Sequence, residues 1–179
     1  MKKTIVNPIF NDACTFLRTS VDTDGSFSDM MVTLGPYGGN PMHRHSAFSE
    51  SFMVLEGTLG LMVDGQKMLL RPGEKVTVYK GQSHCFFNPT DSVTKFHLQF
   101  TPGHTGAENM LRITYGLAAD GMANKKGIPK SLSAIALLCE MGDTSLTGIF
   151  SILSPALKVL ASRARQKGLE KELLDKYCI

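Results

Sequence analysis

The sequence lacks an apolar run long enough to cross a membrane. A membrane-spanning helix needs about 20 consecutive apolar residues, whereas LSAIALLCEM is too short and GIFSILSPALKVLA is interrupted by Pro155 and Lys158. A good export signal is also missing, because the short apolar run in MKKTIVNPIF is broken by Asn7 and Pro8. These absences argue against a membrane protein and against export, and we expect a cytoplasmic protein.

Cysteine is scarce, with four residues in a chain of 179. They form no CxxC pair, and their wide spacing does not match a disulfide framework. We therefore expect reduced thiols that pack in the interior or lie at the surface, and no thiol ligand to a metal. The four residues are Cys14, Cys85, Cys139 and Cys178.

A strong excess of charge of one sign is absent as well. Residues 1–100 carry nine basic and nine acidic side chains, and residues 101–179 carry ten and seven, so the net charge of +3 comes from the second segment. An excess of three is well short of the basic surface that nucleic acid would require. We expect no nucleic-acid partner.

What the sequence does contain is a series of short apolar segments separated by turns, which ends near Thr101. Two dipeptides, Asp24-Gly25 and Asp64-Gly65, stand between alternating segments and predict hairpins. Many short strands at this spacing are typical of a β-sandwich or barrel.

The length of the chain suits one domain with an appendage. At 179 residues and 42% hydrophobic content, the chain can bury a sizeable core, but a second large domain does not fit. We therefore divide it into a barrel over residues 1–101, with its core motifs at 35–100, and a helical extension over residues 102–179.

The pattern of the extension predicts four helices. They are a helix over residues 106–120, a second that Ser131 caps, a third from about Ser145 to Arg165 that Pro155 could kink, and a short last one over LEKELLDKY. Apolar helices have to pack on something. We expect them to cover one face of the barrel or to meet a second copy of the chain in a homodimer; a lid over the barrel mouth is the alternative.

Four polar side chains carry most of the chemical information: His43, His45, Glu50 and His84. His43 and His45 are two residues apart, so on a β-strand both imidazoles point to the same face. Glu50 lies at an odd offset from His45, but the small and polar residues between them can form a turn before the strand ESFMVLEG. His84 begins another apolar segment, HCFF. At this spacing the four side chains can converge on one metal ion inside a small β-barrel.

These residues resemble the two signature motifs of the cupin superfamily. Eight residues meet the two patterns: His43, His45, Glu50 and Gly57 in the first, and Gly73, Gly81, His84 and Asn88 in the second. Tyr79 stands where the second pattern expects proline. That departure concerns a turn and leaves the four polar side chains intact.

The resemblance covers residues 30–101 and implies a mainly β fold. This is the double-stranded β-helix, or jelly-roll barrel, of the cupins, here followed by an α-helical C-terminal extension. The tail segment YGLAADGMANKKGIPKSL is also similar to that of a group of bacterial cupins without an assigned activity. The resemblance implies one divalent transition metal ion held by the four residues His43, His45, Glu50 and His84.

Three imidazoles and a carboxylate suit Fe(II), Mn(II), Ni(II), Cu(II) or Zn(II), and a six-coordinate ion would keep two neighbouring positions open. A tetrahedral zinc would instead be closed and structural. Cupins with this ligand set include dioxygenases, oxalate decarboxylases and oxidases, sugar-phosphate isomerases, and proteins that only bind a ligand. We predict a metal-dependent oxidoreductase of dioxygenase type that acts on a small organic molecule, with Glu50 as the catalytic base. The alternatives are a non-enzymatic small-molecule sensor or binding protein, and a metal-dependent isomerase or decarboxylase.

Other side chains give weaker signals. His97 and Gln99 share one face of the segment VTKFHLQF, and strand parity alone does not decide whether that face lines the barrel. Tyr37 precedes the first motif in a Gly-Pro loop, where a surface position is favoured over contact with a substrate. Arg44 alternates away from the two histidines beside it, so we expect it to lie outside.

Overall fold

The structure is a computed structural model that describes residues 3–146 and 154–179. In this part of the chain the fold is mainly β, with helices toward the C-terminus. The strands are β1 (Thr4–Asn7), β2 (Asp12–Arg18), β3 (Ser28–Leu34), β4 (His43–His45), β5 (Ser49–Glu56), β6 (Leu59–Val63), β7 (Gln66–Leu70), β8 (Lys75–Val78), β9 (His84–Phe87), β10 (Thr94–Thr101) and β11 (Thr144–Leu146). The helices are α1 (Thr105–Ala119), α2 (Leu132–Met141), α3 (Ser154–Gln166) and α4 (Leu169–Tyr177).

The strands form two antiparallel sheets. One sheet has the order β1-β2-β3-β10-β5-β8, and the other has the order β11-β4-β9-β6-β7. Between β4 and β10 the chain passes repeatedly from one sheet to the other. Apolar side chains from the two inner faces fill the space between the sheets. This is the jelly-roll barrel that the sequence predicted.

Strand β10 shows how alternation builds this core. The alternate apolar side chains from Phe96 to Phe100 are buried and line the barrel. His97 lies on the other face of the strand, where its Nε2 is 2.8 Å from Oδ1 of Asp29. The structure thus settles what parity left open: His97 and Gln99 both lie on the outer face.

Both Asp-Gly dipeptides lie in turns. Asp64 and Gly65 form the two-residue loop of the β6–β7 hairpin, with φ of 46° and 84°. A tight hairpin turn of this kind needs left-handed backbone at both positions, which aspartate and glycine tolerate. Asp24 and Gly25 follow a short 3₁₀ turn (Val21–Thr23) in the longer connection between β2 and β3.

Three of the predicted helices, α1, α2 and α4, occupy the segments that the sequence indicated. The side chains of His104 and Ser131 cap α1 and α2, because they accept hydrogen bonds from the backbone N–H groups of Ala107 and Ala134. Among the described residues, none of these helices is long and apolar enough to span a membrane.

The prediction for the third helix is wrong at its start. Thr144–Leu146 forms strand β11, which pairs with β4, and α3 is described over Ser154–Gln166; the predicted helical residues between them lie outside the described residues. The cause is tertiary, since β11 pairs with backbone groups on one edge of β4 that would otherwise lack a partner strand. Pro155 is the second residue of α3 as it is described, a position in a helix at which proline is tolerated.

Helix α1 is held on the barrel by buried polar contacts as well as by apolar packing. Oε1 of Glu108 accepts hydrogen bonds from the backbone N–H of Ser20 and the hydroxyl of Ser28, both at 2.6 Å. The guanidinium of Arg112 lies over the ring of Phe16, at 3.7 Å from its centroid. These contacts fix the position of α1 along β2 and β3.

Candidate metal centre

The four side chains singled out from the sequence come together between the two sheets. His43 and His45 lie on β4, His84 lies opposite His43 on β9, and Glu50 reaches across from β5 in the other sheet. One donor atom from each of the four residues lies within 4.8 Å of the others, and all four residues are buried. We call this set the His/Glu cluster. Its nitrogen and oxygen donors could hold one metal ion.

The turn that the offset of Glu50 requires is present. Strand β4 ends at His45, β5 begins at Ser49, and Glu50 is its second residue. Phe48 in this turn is buried, and its ring stacks on the ring of His45 with a centroid distance of 4.3 Å. The turn therefore brings the carboxylate back to the two imidazoles and also covers one of them.

The orientation of each imidazole is set by a backbone carbonyl oxygen within hydrogen-bond distance of its Nδ1. The pairs are His43 with Pro41 (2.8 Å), His84 with Gln82 (3.0 Å) and His45 with Asp143 (3.1 Å). A carbonyl oxygen only accepts hydrogen bonds, so the contact favours a proton on each Nδ1 and a lone pair on each Nε2. A histidine that binds a metal through Nε2 needs this tautomer.

The centre of the cluster is electrostatically unsatisfied. Oε1 of Glu50 lies 3.3 Å from Nε2 of His45, and Oε2 of Glu50 lies 3.2 Å from Nε2 of His84. In spite of this proximity, Nε2 of His45 is buried and has no hydrogen-bond partner within residues 3–146 and 154–179. If both rings carry their proton on Nδ1, lone pairs face one another here, and a cation between them would replace repulsion by attraction. The residues fit a divalent transition metal ion.

The pKa values in the cluster favour ionised glutamate and, at one position, neutral histidine. Burial would raise the pKa of Glu50, but its close contacts with the imidazoles of His45 and His84 outweigh burial and hold that pKa well below its ordinary value. Burial lowers the pKa of His43 to about 4, so this ring is neutral at pH 7. Burial acts in the same direction on His84, but its contact with Glu50 outweighs it and raises the pKa.

Comparison with known proteins gives a family for the barrel. Residues 30–100 match the family model described as a cupin domain, and all four members of the His/Glu cluster lie inside the match. This part of the chain is a cupin domain. The resemblance seen in the two sequence motifs is thereby confirmed. No curated protein matches the sequence.

The chain is also similar to solved structures of cupin-fold proteins. For a predicted oxalate decarboxylase from Thermotoga maritima the identity is 16%, over 51% of this chain and 80% of that chain, with a TM-score of 0.49. For KdgF from Halomonas sp. the identity is 14%, over 52% of this chain and 81% of that chain, with a TM-score of 0.48. For a sugar phosphate isomerase of the cupin superfamily from Silicibacter pomeroyi the identity is 23%, over 55% of this chain and 69% of that chain, with a TM-score of 0.47.

The tail contributes to the site of the cupin domain through Asp143, which lies between α2 and β11. Its carbonyl oxygen is the acceptor for His45, and its carboxylate binds the turn that follows β4. Oδ2 accepts hydrogen bonds from the backbone N–H groups of Ser46 (2.6 Å) and Ala47 (2.5 Å), and Oδ1 accepts one from the hydroxyl of Ser46 (2.8 Å). Although partial burial acts the other way, these bonds lower the pKa of Asp143. Asp143 thus connects the helical extension to the end of β4, the strand that carries His43 and His45.

Sequence reasoning missed Asp143. It lies 98 residues after His45, and the sequence around it gives no sign of the distant turn that it binds. The left-handed backbone at Asp143, with φ of 48°, turns the chain from α2 into β11. An acidic residue directly after the glycine that ends a helix was a weak signal for such a turn.

We expect the substitution Asp143→Ala to weaken metal binding by about 10-fold to 100-fold, because the carboxylate holds residue 143 against the turn after β4 and so keeps its carbonyl oxygen beside His45. The measurement is a competition titration of Co(II) or Zn(II) against a chromophoric chelator. Asp120→Ala is the matched control, since it removes another tail carboxylate, which contacts Lys176 and Tyr177. Unchanged affinity in a folded Asp143→Ala variant would mean that the bonds from the carboxylate to Ser46 and Ala47 are not needed to position His45.

A cavity of about 260 Å³ adjoins the His/Glu cluster of the cupin domain. His43, His45 and Glu50 line it at one end, and most of the remaining lining is apolar. Helices α1 and α2 form its outer wall. The side chains that they contribute include Ala107, Met110, Leu111, Tyr115, Ile135 and Leu138. The helices therefore cover the open side of the barrel directly beside the cluster.

Tyr37, Arg44 and Cys85, which the sequence also drew attention to, do not line this cavity. Tyr37 is 73% exposed in its turn. Arg44 is exposed and points away from the two histidines beside it, as predicted. Cys85 follows His84 but alternates to the other face of β9, and all four cysteines of the chain are free thiols.

Proposed function

We propose that the cupin domain binds one divalent transition metal ion through His43, His45, Glu50 and His84, and that it is a metal-dependent oxidoreductase of dioxygenase type acting on a small organic molecule. One observation carries this proposal. Three imidazoles and an ionised carboxylate converge in the His/Glu cluster, and three of these residues, His43, His45 and Glu50, border a largely apolar cavity of about 260 Å³. A structural metal site has all its coordination positions filled by side chains and needs no adjoining cavity for a substrate.

The residues around the cluster support this chemistry in distinct ways. A bound six-coordinate metal ion would supply two open positions and a route for electrons from substrate to dioxygen. The backbone carbonyls of Pro41, Gln82 and Asp143 hold the three rings in place, so little reorganisation is needed when a ligand binds. The rings of Phe48 and Phe100 exclude water from the space beside the cluster.

We assign the role of catalytic base to Glu50. Its carboxylate is the acidic group at the cluster end of the cavity, and contacts with His45 and His84 keep it ionised at neutral pH. A base has to be unprotonated before the reaction begins. Either carboxylate oxygen can accept a proton from a hydroxyl group of a substrate that enters the cavity, if that oxygen leaves its place beside the imidazoles.

An oxygen-uptake assay tests this proposal. Protein purified without added metal is analysed for metal content, then incubated with a panel of small molecules that carry two neighbouring oxygen donors. We expect metal-dependent oxygen consumption, reduced at least about 100-fold by Glu50→Ala. His97→Ala is the control, because this histidine lies on the outer face of β10.

The other outcomes identify the alternatives. Tight ligand binding by the metal-loaded protein without oxygen consumption would contradict the oxidoreductase and favour a sensor or binding protein. Conversion of a substrate under anaerobic conditions would favour an isomerase or a decarboxylase.

A further inference from the structure

The cavity has a second end, far from the His/Glu cluster. The strand registers place Glu50 level with Ser28, at the start of β3, and Asp12 level with the other end of the same strand, at Leu34. Six residues of extended chain span about 20 Å. Both Glu50 and Asp12 line the one cavity, which is therefore elongated along β3.

The side chain of Asp12 is unusual for its surroundings. Asp12 is 4% exposed, and its Oδ1 accepts a hydrogen bond from the backbone N–H of Gly35 at 2.8 Å. Within the described parts of the chain no cationic side chain forms an ion pair with it, and its immediate neighbours along the cavity, such as Cys14 and Val32, are apolar. A buried carboxylate without a cationic partner is costly and needs compensation.

Two further polar groups lie at the same end. Asn7 pairs with Asp12 in the β1–β2 register; its Oδ1 accepts a hydrogen bond from Ile9, while its amide nitrogen has no partner among the described residues. Tyr115 of α1 also lines the cavity, and burial, with the nearby Cys14 and Asp12, raises its pKa, so its hydroxyl stays protonated. Neither group carries positive charge, so neither neutralises Asp12.

We propose that this end of the cavity, the Asp12 subsite formed by Asn7, Asp12 and Tyr115, binds the protonated primary amine of an elongated and mostly apolar ligand. The ammonium group pairs with Asp12, the apolar chain lies along the walls of the cavity, and the other end of the ligand points toward the His/Glu cluster. As a statement about substrate class, the inference rests on the proposed function. The binding of an amine at Asp12 does not require a metal.

Charge complementarity favours an amine over an alcohol or a carboxylic acid of equal length. An ammonium group provides both the missing positive charge and several hydrogen-bond donors, whereas a hydroxyl group provides no charge and a carboxylate repels Asp12. Lys126 also borders the cavity, but it is exposed and forms no ion pair in the described chain. Its charge lies at the surface and does not occupy the subsite.

Calorimetric titration of metal-free protein with hexylamine, hexanol and hexanoate at pH 8 tests the assignment. We expect hexylamine to bind at least about tenfold more tightly than hexanol, and hexanoate to bind more weakly than either. Asp12→Asn keeps an oxygen for the N–H of Gly35 but removes the charge, so it should bind hexylamine and hexanol equally. Asp29→Asn, which changes another buried acidic residue outside the cavity, should keep the preference for the amine.

Two results would overturn the subsite. One is equal binding of hexylamine and hexanol by the wild-type protein, a comparison that requires no variant to fold. The other is an undiminished preference for hexylamine in folded Asp12→Asn. Lys126→Ala should bind the amine at least as tightly as the wild type, and weaker binding would also contradict the assignment. Because the protein is metal-free, these results stand apart from the metal and oxygen assays of the proposed function.

Discussion

Replacing His84 by alanine is expected to reduce metal affinity by at least about 100-fold, which corresponds to about 2.7 kcal/mol. The side chain lies at the centre of the barrel opposite His43, and its Nε2 is 3.2 Å from Glu50. Its removal leaves three donors, and among the described residues the cluster has no further His, Cys, Asp or Glu to replace it. Single substitutions of His43 and His45 by alanine should have effects of the same size.

Metal content after purification and competition with a chelator measure the effect. His97→Ala is the matched control, because it removes a histidine from the same barrel whose Nε2 contacts Asp29 on the outer face. It should retain the metal stoichiometry of the wild type. Full metal retention in all three cluster variants would refute the assignment of the site. Addition of metal should raise the melting temperature of the wild type but not of the His84→Ala variant, since ligand binding stabilises only a fold that contains the site.

The substitution Asp12→Asn is expected to stabilise the metal-free protein by roughly 2–3 kcal/mol at pH 8. Burial, opposed only in part by the hydrogen bond from Gly35, raises the pKa of Asp12 from 3.8 to about 6. A carboxyl group whose pKa is raised on folding destabilises the folded state once it is ionised. Asparagine has a similar shape and no charge, so it removes this penalty.

The size of this stabilisation depends on pH. Below about pH 4 the carboxyl group is protonated in the folded and in the unfolded chain, and the two proteins should be equally stable. Between pH 4 and pH 6 the wild type should lose stability relative to Asp12→Asn, and above pH 6 the difference should be constant. Urea unfolding across this range measures it.

A control separates this effect from the general loss of an acidic residue. Asp29→Asn weakens contacts with Arg18 and His97, so it should destabilise the protein at pH 8. A lower stability of Asp12→Asn than of the wild type at pH 8 would mean that the carboxylate has a favourable partner in the folded chain. The stabilisation of Asp12→Asn, combined with a loss of amine binding, would be the pattern expected of a residue kept for binding.

The sequence predicted the cluster because its geometry is local. His43 and His45 are on one strand, and the period of two fixes their common direction. The turn before Glu50 has the small and polar residues that allow it, and the two motifs that contain Glu50 and His84 resemble those of one family. The turn at Asp64-Gly65 was predictable for the same reason, since it depends on the backbone preferences of two neighbouring residues.

Other features of the fold and the site could not be predicted, because they depend on contacts between distant segments of the chain. Alternation in β10 gave two faces, but only the position of β10 between β3 and β5 decides that His97 lies outside. The strand β11 forms because an edge of β4 is available, and the local sequence around Ser145 does not reveal that edge. Asp12 looks like an ordinary acidic residue near a turn, and its burial involves contacts with the loop after β3, where Gly35 donates a hydrogen bond to it.

The pairing of β11 with β4 also has a consequence for the order in which the site is assembled. All four residues of the His/Glu cluster have been synthesised once His84 has been added, but the carbonyl that orients His45 belongs to residue 143. Until then β4 has a partner strand on one side only, and the turn after it lacks the carboxylate that binds it. A growing chain therefore has the four donor residues well before it has the contacts that orient them, so the proposed metal ion would be held firmly only after residue 143 has joined the fold.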